Sequence, residues 1–211
     1  MKWLTMVIVV WLCTVSIQAQ QIIERHFNYS AKEAVNLIIQ IADSVNIHTW
    51  EKSEVYIKAS VNVNDNKDNA AYVTSFDEAG KSVVVNAKFK DDYFKGKKNC
   101  CNQTAIFWQV YLPANALFGV ESINANITIR GETGEMKVKT ISGFIDLSAN
   151  AGRNADIDFS TISGRIYSDQ TLVSEKRTTA LPVKIMGKLN SGGTLIKLET
   201  ISGDIFFRKS E

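Results

Sequence analysis

Apolar and polar positions alternate along this chain in two styles. In the first half the clearest run is 54–63, where Val55, Ile57, Ala59, Val61 and Val63 alternate with Tyr56, Lys58, Ser60 and Asn62. Successive side chains of a strand point to opposite faces, so the pattern predicts a strand with one buried face. Comparable runs predict strands at 36–41, 44–49, 71–76, 82–89 and 105–112, parted by polar turns such as Trp50-Glu51-Lys52-Ser53. For 30–38 a short helix is the alternative, through Ala31, Glu33 and Ala34. Asn64-Asp65-Asn66-Lys67-Asp68-Asn69 is rich in oxygen ligands but lacks the glycine and the bidentate glutamate of a calcium loop, and reads as a hairpin turn.

The second half repeats one unit. Thr-Ile-Ser-Gly ends at Gly143, Gly164 and Gly203, and the apolar positions around each glycine agree. Seven residues before it stand Met136, Ile157 and Ile196; five before, Val138, Phe159 and Leu198; two before, Ile141, Ile162 and Ile201; two after, Ile145, Ile166 and Ile205. The alternation breaks each time at Thr140, Thr161 and Thr200, which predicts a bulge or corner with the apolar side kept inward and the glycine at the turn. A degenerate copy precedes these, with Phe118, Val120, Ile123 and Ile127 around Ala125. The reference positions 125, 143, 164 and 203 are 18, 21 and 39 residues apart, so 168–192 is expected to hold an irregular coil or an insertion. A period near 20 residues falls in the range of solenoid repeats. The expected fold is therefore all-β, a β-solenoid of single-stranded β-helix type continuous with a β-rich N-terminal sheet, with a β-meander in a sandwich as the alternative. The domain reading is a leader at 1–19, a β-rich region at 20–112 and a repeat region at 113–211, forming one continuous unit over 28–208.

The leader sets the cellular address. Lys2 supplies a positive start, residues 3–15 are apolar, and Ile17-Gln18-Ala19 offers a cleavage site before Gln20. The apolar part is shorter than the ~20 residues that span a bilayer. The expectation is an exported chain in the periplasm, at the outer-membrane surface or outside the cell, with no integral span after cleavage. Without Lys2, 23 basic residues stand against 22 acidic ones, which gives no electrostatic reason to expect a nucleic-acid partner. Beyond the leader the cysteines are Cys100 and Cys101, adjacent to each other. Two free thiols, a vicinal disulfide and an intermolecular pairing all stay open.

Catalytic patterns are sparse. His26 and His48 are far apart and bring no zinc spacing, and neither a G-x-S-x-G elbow nor a phosphate-binding glycine loop occurs. The one carboxylate pair of interest is Asp156 and Asp158, two apart on a strand and so roughly 6.5–7 Å between Cα atoms, a separation that acid–base glycoside cleavage can use. They flank Ile157, an inward position, so both are expected to face solvent. Outward positions after the glycines do not repeat: Phe144, Arg165 and Asp204 follow them directly, then Asp146, Tyr167 and Phe206 two residues later. The last strand, 201–208, is expected to leave an edge open to strand addition, blunted by Arg208 and Lys209.

The leader, the β-rich first half with Trp50, the Tyr111-Leu112-Pro113 triplet and the serial Thr-Ile-Ser-Gly-x-Ile copies together resemble the putative-adhesin family of exported bacterial β-proteins, which is similar to auto-transporter adhesin heads. The resemblance spans 28–208 and is best at Ser202-Gly203-Asp204-Ile205. Phe144 and Arg165 depart from it at one position each, and Ala125 replaces a glycine. It implies a β-solenoid with an envelope or surface role and supplies no catalytic residue. The sequence reading is thus a non-enzymatic cell-envelope protein, an adhesin or surface scaffold acting through its outer face on a protein or glycan, with no cofactor and no metal. The alternatives are a carbohydrate-active β-helix enzyme and a periplasmic stress or signalling component.

Overall fold

A computed structural model describes residues 20–30, 33–78, 82–95 and 103–210. The expected leader and the Cys100-Cys101 pair lie outside them. Seven strands fill the first half: β1 (Gln21–Asn28), β2 (Ala34–Ile39), β3 (Ile41–Trp50), β4 (Glu54–Val63), β5 (Tyr72–Asp77), β6 (Ser82–Phe89) and β7 (Thr104–Pro113). The repeat region supplies β8 (Leu117–Arg130), β9 (Met136–Ser142), β10 (Ile145–Ala149), β11 (Ala155–Ser163) and β12 (Ile166–Ser168). It continues with β13 (Val173–Thr178), β14 (Val183–Leu189), β15 (Thr194–Ser202) and β16 (Ile205–Lys209). The strand at β2 replaces the helical alternative, and among the described residues the helical content is the single 3-10 turn Asn69–Ala71. β1 is mostly exposed, with Phe27 its one buried residue.

One long strand organises the rest. Through its first part β8 pairs with β2 and β9, and through its second part with β3 and β10. The mixed sheet therefore forks at β8 into two arms, β1-β4-β7-β3-β8-β10-β16-β12 and β5-β6-β2-β8-β9-β15-β11-β14-β13, and it does not close. The arms face each other across one hydrophobic core. Phe159 on β11 meets Phe207 on β16 edge to face at 5.3 Å, and Phe27 on β1 meets Phe76 on β5 at 5.9 Å. Buried between them, the Trp108 indole N–H donates to the Tyr72 hydroxyl at 3.3 Å, so the polar tips of two core aromatics satisfy each other.

The repeats stack in parallel register. Phe118, Met136, Ile196 and Ile157 form one inward row across β8, β9, β15 and β11, and Ile127, Ile145, Ile205 and Ile166 form another across β8, β10, β16 and β12. The order in space is that of reference positions 125, 143, 203 and 164, so the last copy in sequence lies between the second and third. The segment between those copies is the antiparallel hairpin β13–β14, which extends the sheet from β11. Two expectations fail on pairing. The final strands are interior, since β15 lies between β9 and β11 and β16 between β10 and β12, so no edge is open at 201–208. Nor does the Asn64 segment close a hairpin, because β4 pairs with β1 and β7 rather than β5.

The corner departs from the expected inward isoleucine. Ile123, Ile141, Ile162 and Ile201 are 46, 41, 46 and 39% exposed, whereas Thr140, Thr161 and Thr200 are 0, 0 and 4% exposed. A strand alternates strictly, so after five residues of regular pleat the threonine takes the inward place and the isoleucine the outward one. The alternation then breaks, since the following serine is exposed too, and the corner restores the apolar phase at Ile145, Ile166 and Ile205. Burying a hydroxyl requires an acceptor, and the corner carbonyls supply it. Thr161 donates to Gly203 O at 3.0 Å, Thr200 to Gly143 O at 3.4 Å, Thr140 to Ser142 O at 2.8 Å and Ser122 to Gln40 O at 3.3 Å.

Close approach explains the glycines. A Cβ on Gly143 would sit 2.2 Å from Ala125 O, one on Gly203 2.0 Å from Gly143 O, and one on Gly164 1.9 Å from Gly203 O. Gly143 adds a φ of 110°, a left-handed value that side chains disfavour. Ala125 keeps its methyl because β3 bulges opposite it, between Ile41 and Ser44. Two substitutions separate this geometry from the sequence expectation. By chemical denaturation, Thr161→Val should cost about 1–3 kcal/mol for an unpaired buried carbonyl, and Ile162→Ser less than about 1 kcal/mol, since its side chain is already half in water. The reverse ranking would restore the isoleucine to the core. Gly203→Ala should cost about 2–4 kcal/mol through the carbonyl clash, and an unchanged unfolding midpoint would contradict the contact.

Candidate binding face

Outward positions of the first arm line up across strands. His26 on β1 pairs in register with Tyr56 on β4, Tyr56 with Tyr111 on β7, Tyr111 with His48 on β3, and His48 with Arg130 on β8. Four rings thus stand side by side on four neighbouring strands, with centroids 4.6, 5.8 and 5.5 Å apart in that order. Trp50, two residues beyond His48, packs beside the middle of the row, 5.2 Å from Tyr111 and 6.1 Å from Tyr56. Its indole N–H donates to Glu54 O at 2.7 Å, and the Lys52 ammonium sits 4.6 Å from its ring centroid. These rings belong to the sheet surface rather than the core, since they are at most partly buried.

Charged groups tie the rings down. The Tyr56 hydroxyl donates to Glu24, and the His26 Nδ1 contacts the Glu54 carboxylate. The hydrogen bond to Glu24, then partial desolvation and the neighbouring negative charges of Glu24 and ionised Tyr111, push the Tyr56 phenol up to about 12. His48 is held below 6.5, first by burial against the sheet and then by the Arg130 cation, so its imidazole is neutral near pH 7. The next outward row runs Glu24, Lys58, Gln109 and Asn46, in register across the same four strands.

The same arm carries a second aromatic group at its other end. Tyr167 stacks on Phe206 at 5.2 Å, Phe144 meets Phe206 at 6.2 Å, and the Arg208 guanidinium lies 4.9 Å from the Phe206 centroid. Asp146 joins the two groups by accepting from Arg130 at 3.2 Å and from Arg208 at 3.0 Å. On the opposite arm a shallow groove of about 510 Å³ opens where Gly119 lacks a side chain, between Asn36 and Lys137. A polar recess of about 380 Å³ surrounds Arg153, whose guanidinium is engaged by Thr133 Oγ1 at 2.7 Å and Gly134 O at 2.9 Å.

The residues singled out from sequence distribute differently. The glycines and the flanking Ile145, Ile166 and Ile205 are structural, and Ile141, Ile162 and Ile201 form an exposed row with Ile123. Asp158 is ion-paired with Lys184 at 3.1 Å, and Asp156 stands in register opposite Lys188. Among the described residues no group of three potential metal ligands assembles, and every buried side-chain nitrogen or oxygen has a partner. No described helix is long and apolar enough to cross a membrane. The aromatic row was missed. Its signal was present as rings at outward positions 56 and 111, but their meeting depends on strand register.

No protein-family model matches the chain, and a comparison with curated proteins finds no match. Among solved structures it is similar to a putative cell adhesion protein from Clostridium sporogenes, at 11% identity, over 91% of this chain and 100% of that one, with a TM-score of 0.59. At that identity the likeness is one of fold alone. Putative adhesins from Parabacteroides distasonis and Bacteroides fragilis align far more loosely. They show 8% identity each and TM-scores of 0.30 and 0.22, over 70 and 92% of this chain and 61 and 99% of theirs.

Two titrations check the electrostatics of the face. Spectrophotometric titration should find a tyrosine ionising near pH 12, and Glu24→Gln should lower that value by removing the carboxylate; an unmoved value would deny the contact. By NMR, His48 should titrate below 6.5. Its contribution to stability is then present above pH 6.5 and lost as pH falls through the folded value, because the unfolded chain takes up the proton first. A His48 midpoint at or above 6.5 would contradict this environment.

Proposed function

We propose that this chain is an exported, non-catalytic binding protein of the cell envelope, an adhesin or surface scaffold, whose stacked Thr-Ile-Ser-Gly coils are a short β-solenoid presenting a flat outer face. The observation that carries the reading is the division of labour between the two sides of the first arm. Inward positions of β4 and β7 are aliphatic or aromatic and closed to water, while outward positions of the first arm gather rings and charges of both signs on one surface. Surfaces rich in tyrosine and tryptophan with a polar surround are typical of recognition. The adhesion name of the Clostridium sporogenes structure agrees with this role by analogy of fold. Asp158 is ion-paired with Lys184 and Asp156 stands opposite Lys188, which supports a structural role for both carboxylates.

The address is tested on intact cells by antibody labelling and protease shaving, with a periplasmic protein as control. Labelling and cleavage of the chain while the control stays protected is the expected outcome. Protection until the outer membrane is opened would remove adhesion and leave a periplasmic role.

A further inference from the structure

We infer that the polar recess around Arg153 is a binding site for a zwitterion, a free amino acid or short peptide held by both its carboxylate and its ammonium group. None of the rings of the aromatic row lines it. The recess lies at the end of the coils opposite the glycine corners. There the loop before β8, the β8–β9 loop, the β10–β11 loop and the start of β15 meet, and they bring Asn115, Glu132, Asn150, Arg153, Asn154 and Thr194 around one hollow of about 380 Å³. Ligand pockets run from about 300 to 1,000 Å³, so this one suits a molecule of amino-acid or dipeptide size rather than a polymer.

The charged groups lining the recess are Arg153 and Glu132, of opposite sign. Burial lowers the Arg153 pKa and the nearby Glu132 charge partly offsets this, yet the two stand beyond the 4.0 Å of an ion pair. The guanidinium donates to neutral acceptors, Thr133 Oγ1 at 2.7 Å and Gly134 O at 2.9 Å, which fix its position. Its Nε has no partner in the chain, and among the described residues no buried side-chain nitrogen is unsatisfied, so Nε is open to water. Spare hydrogen-bonding groups surround the charges. Asn150 and Asn154 accept through Oδ1 from Gly152 N at 2.8 Å and Ser191 N at 3.4 Å, and their Nδ2 groups, like the Asn115 amide and the Thr194 hydroxyl, bind nothing among the described residues. The loops themselves are tied, since Asn190 Nδ2 donates to Ala151 O at 2.8 Å and to Arg153 O at 2.7 Å, and Asn115 N donates to Glu132 O at 3.1 Å. The hollow is therefore formed before a ligand arrives.

Separated opposite charges select the ligand. A simple anion drawn to Arg153 would meet Glu132, and a simple cation drawn to Glu132 would meet Arg153. A neutral polyol would strip water from both charges and match neither. A zwitterion answers both at once. Its carboxylate takes the open guanidinium N–H, its ammonium takes the Glu132 carboxylate, and a polar side chain takes the free amides.

The purified protein would be titrated with L-glutamine and L-alanyl-L-glutamine by calorimetry and by backbone-amide NMR. N-acetyl-L-glutamine, without the ammonium group, and L-glutaminamide, without the carboxylate, are the comparisons. The expected result is saturable binding of glutamine or the dipeptide, with shifts centred on the amides of Glu132, Arg153 and Asn154, and at least ten-fold weaker binding of both blocked forms. Glu132→Gln should cancel the preference for glutamine over its N-acetyl form, and Arg153→Gln should abolish binding. Arg153→Gln also loses the bonds to Thr133 and Gly134, so circular dichroism checks its fold, whereas Glu132 is exposed and its substitution leaves those bonds in place. No saturable binding of either zwitterion, equal binding of glutamine and N-acetylglutamine by the unaltered protein, or shifts that fall on the aromatic row instead would each overturn the proposal. The result is independent of where the cell places the protein: failure here leaves the envelope role standing, and failure of surface labelling leaves the recess result standing.

Discussion

The constraint on which the structure depends is the contact between each repeat glycine and the corner carbonyl of the neighbouring copy. Parallel strands hydrogen-bond at one fixed spacing, and where the chain turns at that spacing a Cβ has nowhere to go. Gly143, Gly203 and Gly164 each lie on the carbonyl of the previous copy in the stack. The threonine three residues before each glycine satisfies a carbonyl at that crowded corner, on the neighbouring copy or on its own. Hydroxyl and glycine are two halves of one device. The glycine lets the corners come together, and the hydroxyl keeps their carbonyls from being buried unpaired.

With the corners fixed, the rest of the architecture follows. β8 is long enough to run through a corner and serve both arms, and the N-terminal strands add to it on each side. The inward rows then close one core between the arms, while the opposite side of the first arm is a broad sheet surface. Rings on such a surface are held at strand spacing whether or not they help the fold, and there His26, Tyr56, Tyr111 and His48 come into one row. A rigid sheet fixes their relative positions before any ligand arrives, which reduces the ordering cost of binding.

The sequence by itself determined that the chain is all-β, where most strands run, which faces of them are mostly apolar, and that one unit recurs with a glycine in three copies and Ala125 in the first. These are local properties, set by the two-residue period of a strand and by what glycine alone tolerates. Tertiary structure decided the rest. The final repeat lies between two earlier ones because a hairpin was inserted at 168–192, and nothing in the local pattern states how an insertion rethreads a stack. Ile141, Ile162 and Ile201 face water because the phase change comes after the isoleucine, not before it, and apolar spacing alone fits either. The aromatic row joins residues 26, 48, 56 and 111, whose alignment depends on the pairing of four strands. Register is an energy summed over whole ladders, so it becomes fixed only when the sheet forms.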